Sequence, residues 1–303
     1  MKRFFVFALI LIAGSGSGML YAAPHHSHAN RRAETLVQAE YAFARAVKQH
    51  GLRDGFLTFM DPQAIAFTPR PMSAQAFYSS RDPGPSSLVW HPVMARVAAS
   101  GDFGFTSGPW QVDYTDQFGK AAIMHGDYAT LWHRTRDGKW RWLLDAGVAH
   151  PMPSPPAKAL PDSATLKPYR LRGTSRGSTS GDTLASLDVK YSKLAADAGM
   201  RAAFQQLGAP DMRLLQFNSA PLKGRAAIVK QTPMLKARLK WISSGSGSAS
   251  SGDLAYTYGM AYPLNKKMGT SPESVYLHIW QHTRHGWRLL LDLENALPPS
   301  HHP

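Results

Sequence analysis

Histidines and aspartates at strand-like spacing are the residues of this chain best suited to proton chemistry. His278 alternates with Tyr276 and Trp280 in "YLHIWQ", and His91 follows Trp90 in "VWHPV". Imidazole titrates near neutrality and serves as acid or base. A core histidine hydrogen-bonded to backbone accounts for either position equally well. Asp145 and Asp292 close the phrases "WRWLLD" and "WRLLLD". Asp145 shares a strand face with Arg141, but at about 3.3 Å per residue the two stand roughly 13 Å apart and do not pair. Pairing of each aspartate with a neighbouring strand is the expectation. Lys236, Arg238 and Lys240 alternate with Leu235, Ala237, Leu239 and Trp241. That gives a strand with one cationic face, either solvated or offered to an anion.

Other chemistries are excluded. The histidines of "HHSH" (25–28) and "HHP" (301–303) have no ordered ligand spacing, so no metal site is expected. The chain has no cysteine. Thiolate zinc sites, thiol nucleophiles and disulfides are therefore ruled out. No cofactor is expected.

The elements that must position these residues are written twice. "YATLWHRTRDGKWRWLLD" (128–145) has alternating runs around Asp137–Gly138, a strong hairpin signal. "YLHIWQHTRHGWRLLLD" (276–292) repeats the layout, and the tryptophans of both hairpins, Trp132, Trp140, Trp280 and Trp287, are expected to be mostly buried. Upstream, "SGDFGFTSG" (100–108) answers "SGDLAYTYG" (251–259), with Trp90 and Trp241 each 11 residues before the glycine of their "SGD". Further upstream, 40–62 and 188–210 are both apolar at helical spacing and both interrupted by one glycine, Gly51 or Gly199. Three echoes in one order point to an internal duplication. "SSGSGSASSG" (243–252) stands where the first copy reads as strand, and is expected to have lost strand order.

Residues 1–22 have the layout of a secretory signal, with cleavage after Ala22 or as late as Ala29, which predicts a periplasmic or secreted protein. The first domain is expected over 30–150 and the second over 184–299. A linker rich in Pro, Ser and Gly joins them over 151–183. The formal charge of +14 is uneven, at +2 over 30–150 and +10 over 151–303. The second domain is thus either solubilised by its charge or attracted to an anionic envelope lipid or polymer. Nucleic acid is not an expected partner.

Helices followed by a curved sheet, with "SGDFGFTSGPW" (100–110) and "YATLWHRTRDGKWRWLLD" (128–145), resemble the nuclear transport factor 2-like superfamily. That superfamily includes ketosteroid isomerase and SnoaL-type cyclase folds. The resemblance implies an α+β fold of two tandem cone-shaped domains, each with N-terminal helices packed on a curved antiparallel sheet. It implies a cavity at the wide end of each cone, and pairing of the two domains through their sheets. Candidate lining residues are Tyr41, Trp90, His91, Tyr128, Thr130 and Trp132, with Trp241, Tyr276, His278 and Trp280 in the second domain. Lys236, Arg238 and Lys240 are the candidate anion site. The place of the isomerase base falls at Thr68, and near Asn218 in the second copy, and neither is a carboxylate. Isomerase activity is therefore not expected to carry over.

Binding of a small apolar ligand, or scaffolding in the cell envelope, is the leading functional expectation. An isomerase, cyclase or dehydratase working in the first cavity is the alternative, and an adaptor held on anionic surfaces by the second domain is another. A buried polar dyad beside the first cavity favours the enzyme, and a filled cavity removes both ligand readings.

Overall fold

The computed structural model describes residues 35–84, 86–164, 166, 181–233, 239–264 and 271–297. The signal-like segment, part of the linker, the histidine clusters, Lys236 and Arg238 lie outside the described residues.

α1 (Leu36–Phe59) starts at a capping box in which Thr35 and Gln38 satisfy each other's backbone N–H. It kinks at Gly51, whose φ of 84° only glycine adopts cheaply. Then come β1 (Met60–Phe67), β2 (Pro71–Ser73), α2 (Ala74–Ser79), β3 (Val89–Trp90), β4 (Met94–Val97), β5 (Phe103–Thr115), β6 (Ala121–Arg134) and β7 (Trp140–His150). The second half repeats the succession. α3 (Gly181–Ala198) breaks at Gly199 into α4 (Met200–Leu207). β8 (Gly208–Gln216), β9 (Leu222–Lys223), α5 (Arg225–Gln231), β10 (Leu239–Ser248), β11 (Leu254–Pro263), β12 (Ser274–Thr283) and β13 (Gly286–Ala296) follow.

The fold is α+β, with two sheets of matching order. The first runs β2-β1-β7-β6-β5-β3, with β4 also on β5, and the second runs β9-β8-β13-β12-β11-β10. The expected antiparallel sheets are in fact mixed. β1 lies parallel to β7 and β8 parallel to β13, so the strand that follows each helical stretch pairs with the last strand of its own half.

A bulge at the same place in each sheet decides which side chains face the helices. Leu131 pairs with Leu144, but the next residue, Trp132, pairs with Trp142, leaving Leu143 as the extra residue. In the second sheet Ile279 pairs with Leu291 and Trp280 with Leu289, leaving Leu290 extra. One inserted residue reverses the faces beyond it. Trp142 and Asp145 therefore share a face, where uninterrupted alternation would set them on opposite ones.

The reverse faces of the two sheets pack together into one shared core. Phe103, Phe105, Leu131, Leu144 and Val148 of the first half join the buried residues of the second. The two "SGD" turns clasp each other reciprocally. Asp253 accepts from Ala99 N at 3.0 Å, Asp102 accepts from Ser250 N at 3.2 Å, and the hydroxyls of Ser100 and Ser251 meet at 2.9 Å. The turns are thus the pairing elements of an internal two-fold.

The glycine–serine stretch expected to lack order is strand: β10 runs through Ser248 and pairs with β11. Its small residues have a packing role. A Cβ on Gly245 would fall 2.6 Å from the Tyr258 ring, and one on Gly247 would fall 2.7 Å from that of Tyr256. Those two rings cross to the first half, where Tyr256 stacks on Phe103 at 5.7 Å and Tyr258 meets Phe67 at 6.0 Å. Residues 151–164 form no helix or strand and are tied to the first half. Leu160 N donates to Pro92 O, and Leu160 O accepts from the Tyr41 hydroxyl.

Candidate functional site

The first half holds a cavity of about 240 Å³ between its helices and sheet. α1 turns Leu36, Glu40, Phe43 and Val47 inward, all buried. A carboxyl in that apolar stripe is costly unless donors meet it. Three side chains do so: Trp90 Nε1 at 2.5 Å, Trp132 Nε1 at 3.1 Å and the Thr106 hydroxyl. Burial still raises the Glu40 pKa, with these bonds acting against it.

Above Glu40 the walls are aromatic. Phe43, Phe56, Leu88, Trp90, Trp110 and Tyr128 supply the apolar surface, and Thr130, Asp145 and Gly147 complete the lining. Trp110 lies across two glycines, since a Cβ on Gly126 would meet its ring at 2.2 Å and one on Gly147 would approach its Nε1 at 3.3 Å. Among the described residues no Lys, Arg or His lines the cavity.

Two polar groups there lack good partners. The buried Tyr128 hydroxyl makes no hydrogen bond, although Glu40 and Thr106 lie near it. Asp145 is half-buried and accepts only a long bond, 3.3 Å, from the Thr130 hydroxyl. Burial, then the negative charge of Glu40, push Asp145 up to about 7. At neutral pH this carboxyl is present in both protonation states. Tyr128 is pushed well above the ordinary phenol range, first by burial and then by Glu40 and Asp145, so it stays a hydrogen-bond donor.

The equivalent place in the second half is filled. His278 pairs with Asp292 on the next strand, as Thr130 pairs with Asp145. Its Nδ1 lies 2.8 Å from Asp188, and its Nε2 faces Asp292 at 3.5 Å. Tyr276 and Thr257 also donate to Asp188, and Tyr191 donates to Asp292 at 2.8 Å. Burial opposes the imidazolium charge, but Asp292 and Asp188 outweigh it and push His278 up to about 10. Glu294 stands where the first half has Gly147; burial and then Asp292 push it up to about 7.

Of the residues expected to line cavities, Trp90, Tyr128 and Thr130 do so, and Trp132 lies beneath them against Glu40. Tyr41 is a correction: it points outward and donates to Leu160 O at 2.7 Å. His91 is another. It is half-buried away from the cavity, with its pKa lowered by burial and Asp127 opposing. Trp241, Tyr276, His278 and Trp280 are buried in a packed interior. His278 is held as a cation, so it is not poised as a base. Lys240 is exposed on β10. Trp132, Trp140 and Trp280 are buried, but Trp287 is only half-buried, its ring 5.0 Å from that of His282.

Sequence reasoning missed Glu40, whose signal was a carboxylate within a helical apolar stripe. It read Asp145 as structural. Asp145 does bond the neighbouring strand, but the bulge also turns it into the cavity. Reasoning from sequence also gave no sign of a buried polar knot between the halves. There Asp127 accepts from Arg213 at 2.6 Å and Ser154 at 2.5 Å, with His150 Nε2 at 3.0 Å. The serine donates to the carboxylate itself and stands 3.4 Å from the imidazole, so no base activates it. Among the described residues no group of three or more His, Asp or Glu is placed to hold a metal.

No family model matches the chain, and no curated protein does. The solved structures it matches each cover about 40% of the chain. A nuclear transport factor 2-like superfamily protein from Salmonella enterica is 10% identical, covering 39% of this chain and 89% of its own, with a TM-score of 0.31. A ketosteroid isomerase-like protein from Erwinia carotovora atroseptica is 12% identical, covering 40% and 97%, with a TM-score of 0.32. The hub of the S. rosetta CaMKII is 18% identical, covering 39% and 96%, with a TM-score of 0.32. The structures to which this chain is similar include nuclear transport factor 2-like and ketosteroid isomerase-like proteins.

Proposed function

We propose that the first half binds a small, mainly apolar molecule in the cavity between α1 and the sheet, with one polar group of that molecule against Asp145 and Tyr128. The observation that carries this reading is an aromatic-walled cavity lined by a tyrosine whose buried hydroxyl has no partner at bonding geometry. A buried donor left unpaired costs about 1–3 kcal/mol, which a ligand oxygen or carboxyl partner would recover. A concave, largely aromatic site with few convergent polar groups is the usual form of a ligand pocket. Gly147→Leu places a side chain in the lining and tests the reading. Cyclohexanone, 3,3-dimethylbutan-1-ol and choline, followed by intrinsic tryptophan fluorescence, to which Trp90 and Trp110 of the lining contribute, are suitable probes. At least one should bind to the native chain, and Gly147→Leu should weaken it at least tenfold while circular dichroism stays native. Binding of none, or equal binding by the variant, would overturn the proposal.

A second reading, an enzyme of the isomerase, cyclase or dehydratase type, is favoured by one observation. Asp145, pushed up to about 7, can both give and take a proton at neutral pH. The carboxyl absent at Thr68 and Asn218 would then come from another strand. Its mark is turnover of a β,γ-unsaturated ketone, with a pH profile breaking near 7. Turnover that survives Asp145→Asn would remove Asp145 from that role.

A further inference from the structure

We infer that the ligand of the first cavity is a small organic cation, an amine or quaternary ammonium group held between the Asp145 carboxylate and the faces of the surrounding aromatic rings. This rests on the ligand-binding reading above and names the chemistry of its ligand.

The molecule carries its own precedent. In the second half, the corresponding cage contains a cation supplied by the chain, the His278 imidazolium. Its ring lies 4.5 Å from Tyr276, 5.0 Å from Tyr191, 5.7 Å from Trp280 and 6.4 Å from Trp241. Asp188 binds its Nδ1 at 2.8 Å, and Asp292 faces its Nε2 at 3.5 Å. The first half repeats this cage residue for residue. Tyr128 stands for Tyr276, Phe43 for Tyr191, Trp132 for Trp280 and Trp90 for Trp241. Glu40 stands for Asp188 and Asp145 for Asp292. The strand registers fix the central correspondence, since Thr130 lies between Thr106 and Asp145 as His278 lies between Thr257 and Asp292. One member differs in kind. Thr130 replaces the histidine, and an open cavity lies beside it.

The electrostatics agree with that geometry. Aromatic faces carry negative potential and attract a cation within about 6 Å of the ring centroid. Two carboxyls add to it, Asp145 in the lining and Glu40 beneath, and among the described residues no basic side chain lines the space. Glu40 is already met by three donors, whereas Asp145 has one long bond. Asp145 is thus the carboxyl left short of a counter-charge. An anionic ligand would meet the Asp145 carboxyl, with Glu40 beneath it. A neutral ligand would leave the ionised form of Asp145 without compensation.

The groups that face Asp145 also set a pH dependence. They are Glu40 on α1, Tyr78 on α2 and Tyr128 on β6, while Arg213 on β8, which Tyr128 senses, is engaged by Asp127. A permanent cation favours ionised Asp145. Its binding should strengthen as pH rises from 5 towards about 8 and release a proton below about 7.

Choline and its uncharged carbon analogue, 3,3-dimethylbutan-1-ol, separate charge from shape. Titration calorimetry on the full chain should show choline bound at least tenfold more tightly at pH 8. The ratio should fall towards one in Asp145→Asn. Thr130→His, which installs the second half's cation, should abolish choline binding and serves as a second variant if Asp145→Asn fails to fold. Equal affinity for the two probes would overturn the inference and leave the cavity a binding site. A charge preference that persists in both variants would also overturn it. Binding of neither probe, nor of cyclohexanone, would overturn both proposals.

Discussion

His278 and Thr130 show how much one side chain decides. Both occupy the same point of their sheets, opposite an aspartate that the bulge turns inward. The histidine is a clamped cation, and its charge compensates Asp188 and Asp292. Removing it leaves two buried carboxyls without a positive partner, which typically costs about 3–5 kcal/mol. His278→Ala should therefore lower stability by that amount in denaturant titrations at pH 7; a loss below about 1 kcal/mol would show that the imidazole is not charged there. The linkage has a definite sign. The folded pKa of about 10 lies above the ordinary 6.5, so this stabilisation is complete below about pH 6.5 and disappears as pH rises through about 10. The variant should not share that alkaline decline. In the sequence, His278 was visible as a titratable residue on an apolar strand face. Its counter-charges were not, because Asp188 approaches from a helix 90 residues away.

Much of the element layer was legible: the two hairpins, the helices broken at Gly51 and Gly199, and their order in the chain. Periodicity and turn chemistry are local signals, and these elements obey both. Two features escaped. A bulge leaves no mark in a run such as "WRWLLDAG", because every residue in it is compatible with strand. Its effect is nonetheless decisive, since it puts Trp142, Asp145 and Gly147 on the cavity side. β10 escaped for the opposite reason. Its glycines and serines are poor strand formers by propensity, yet the Tyr256 and Tyr258 rings need the space that they leave. Packing against a distant strand overrode local preference.

At the scale of the whole molecule, the two "SGD" turns explain themselves only together. Each serine meets its counterpart, and each aspartate caps the other turn. Burial pushes the Asp102 pKa upward, but hydrogen bonds from Ser100 and Ser250 outweigh it and hold the pKa below the usual range. Asp102→Ala and Asp253→Ala should each cost about 1–3 kcal/mol. Because the sheets share one core, unfolding should remain a single transition in both variants. Two separated transitions would show that the halves are held together more loosely than their packing implies.

That clasp has a consequence for how the protein can change. A pair formed by two identical chains alters both of its sites with every substitution, and dilution separates it. Here the partners are spelled out separately along one chain, so their mutual concentration is fixed by connectivity and not by abundance. Each cage can then take its own path. One is closed around His278. The other keeps an open cavity beside Thr130.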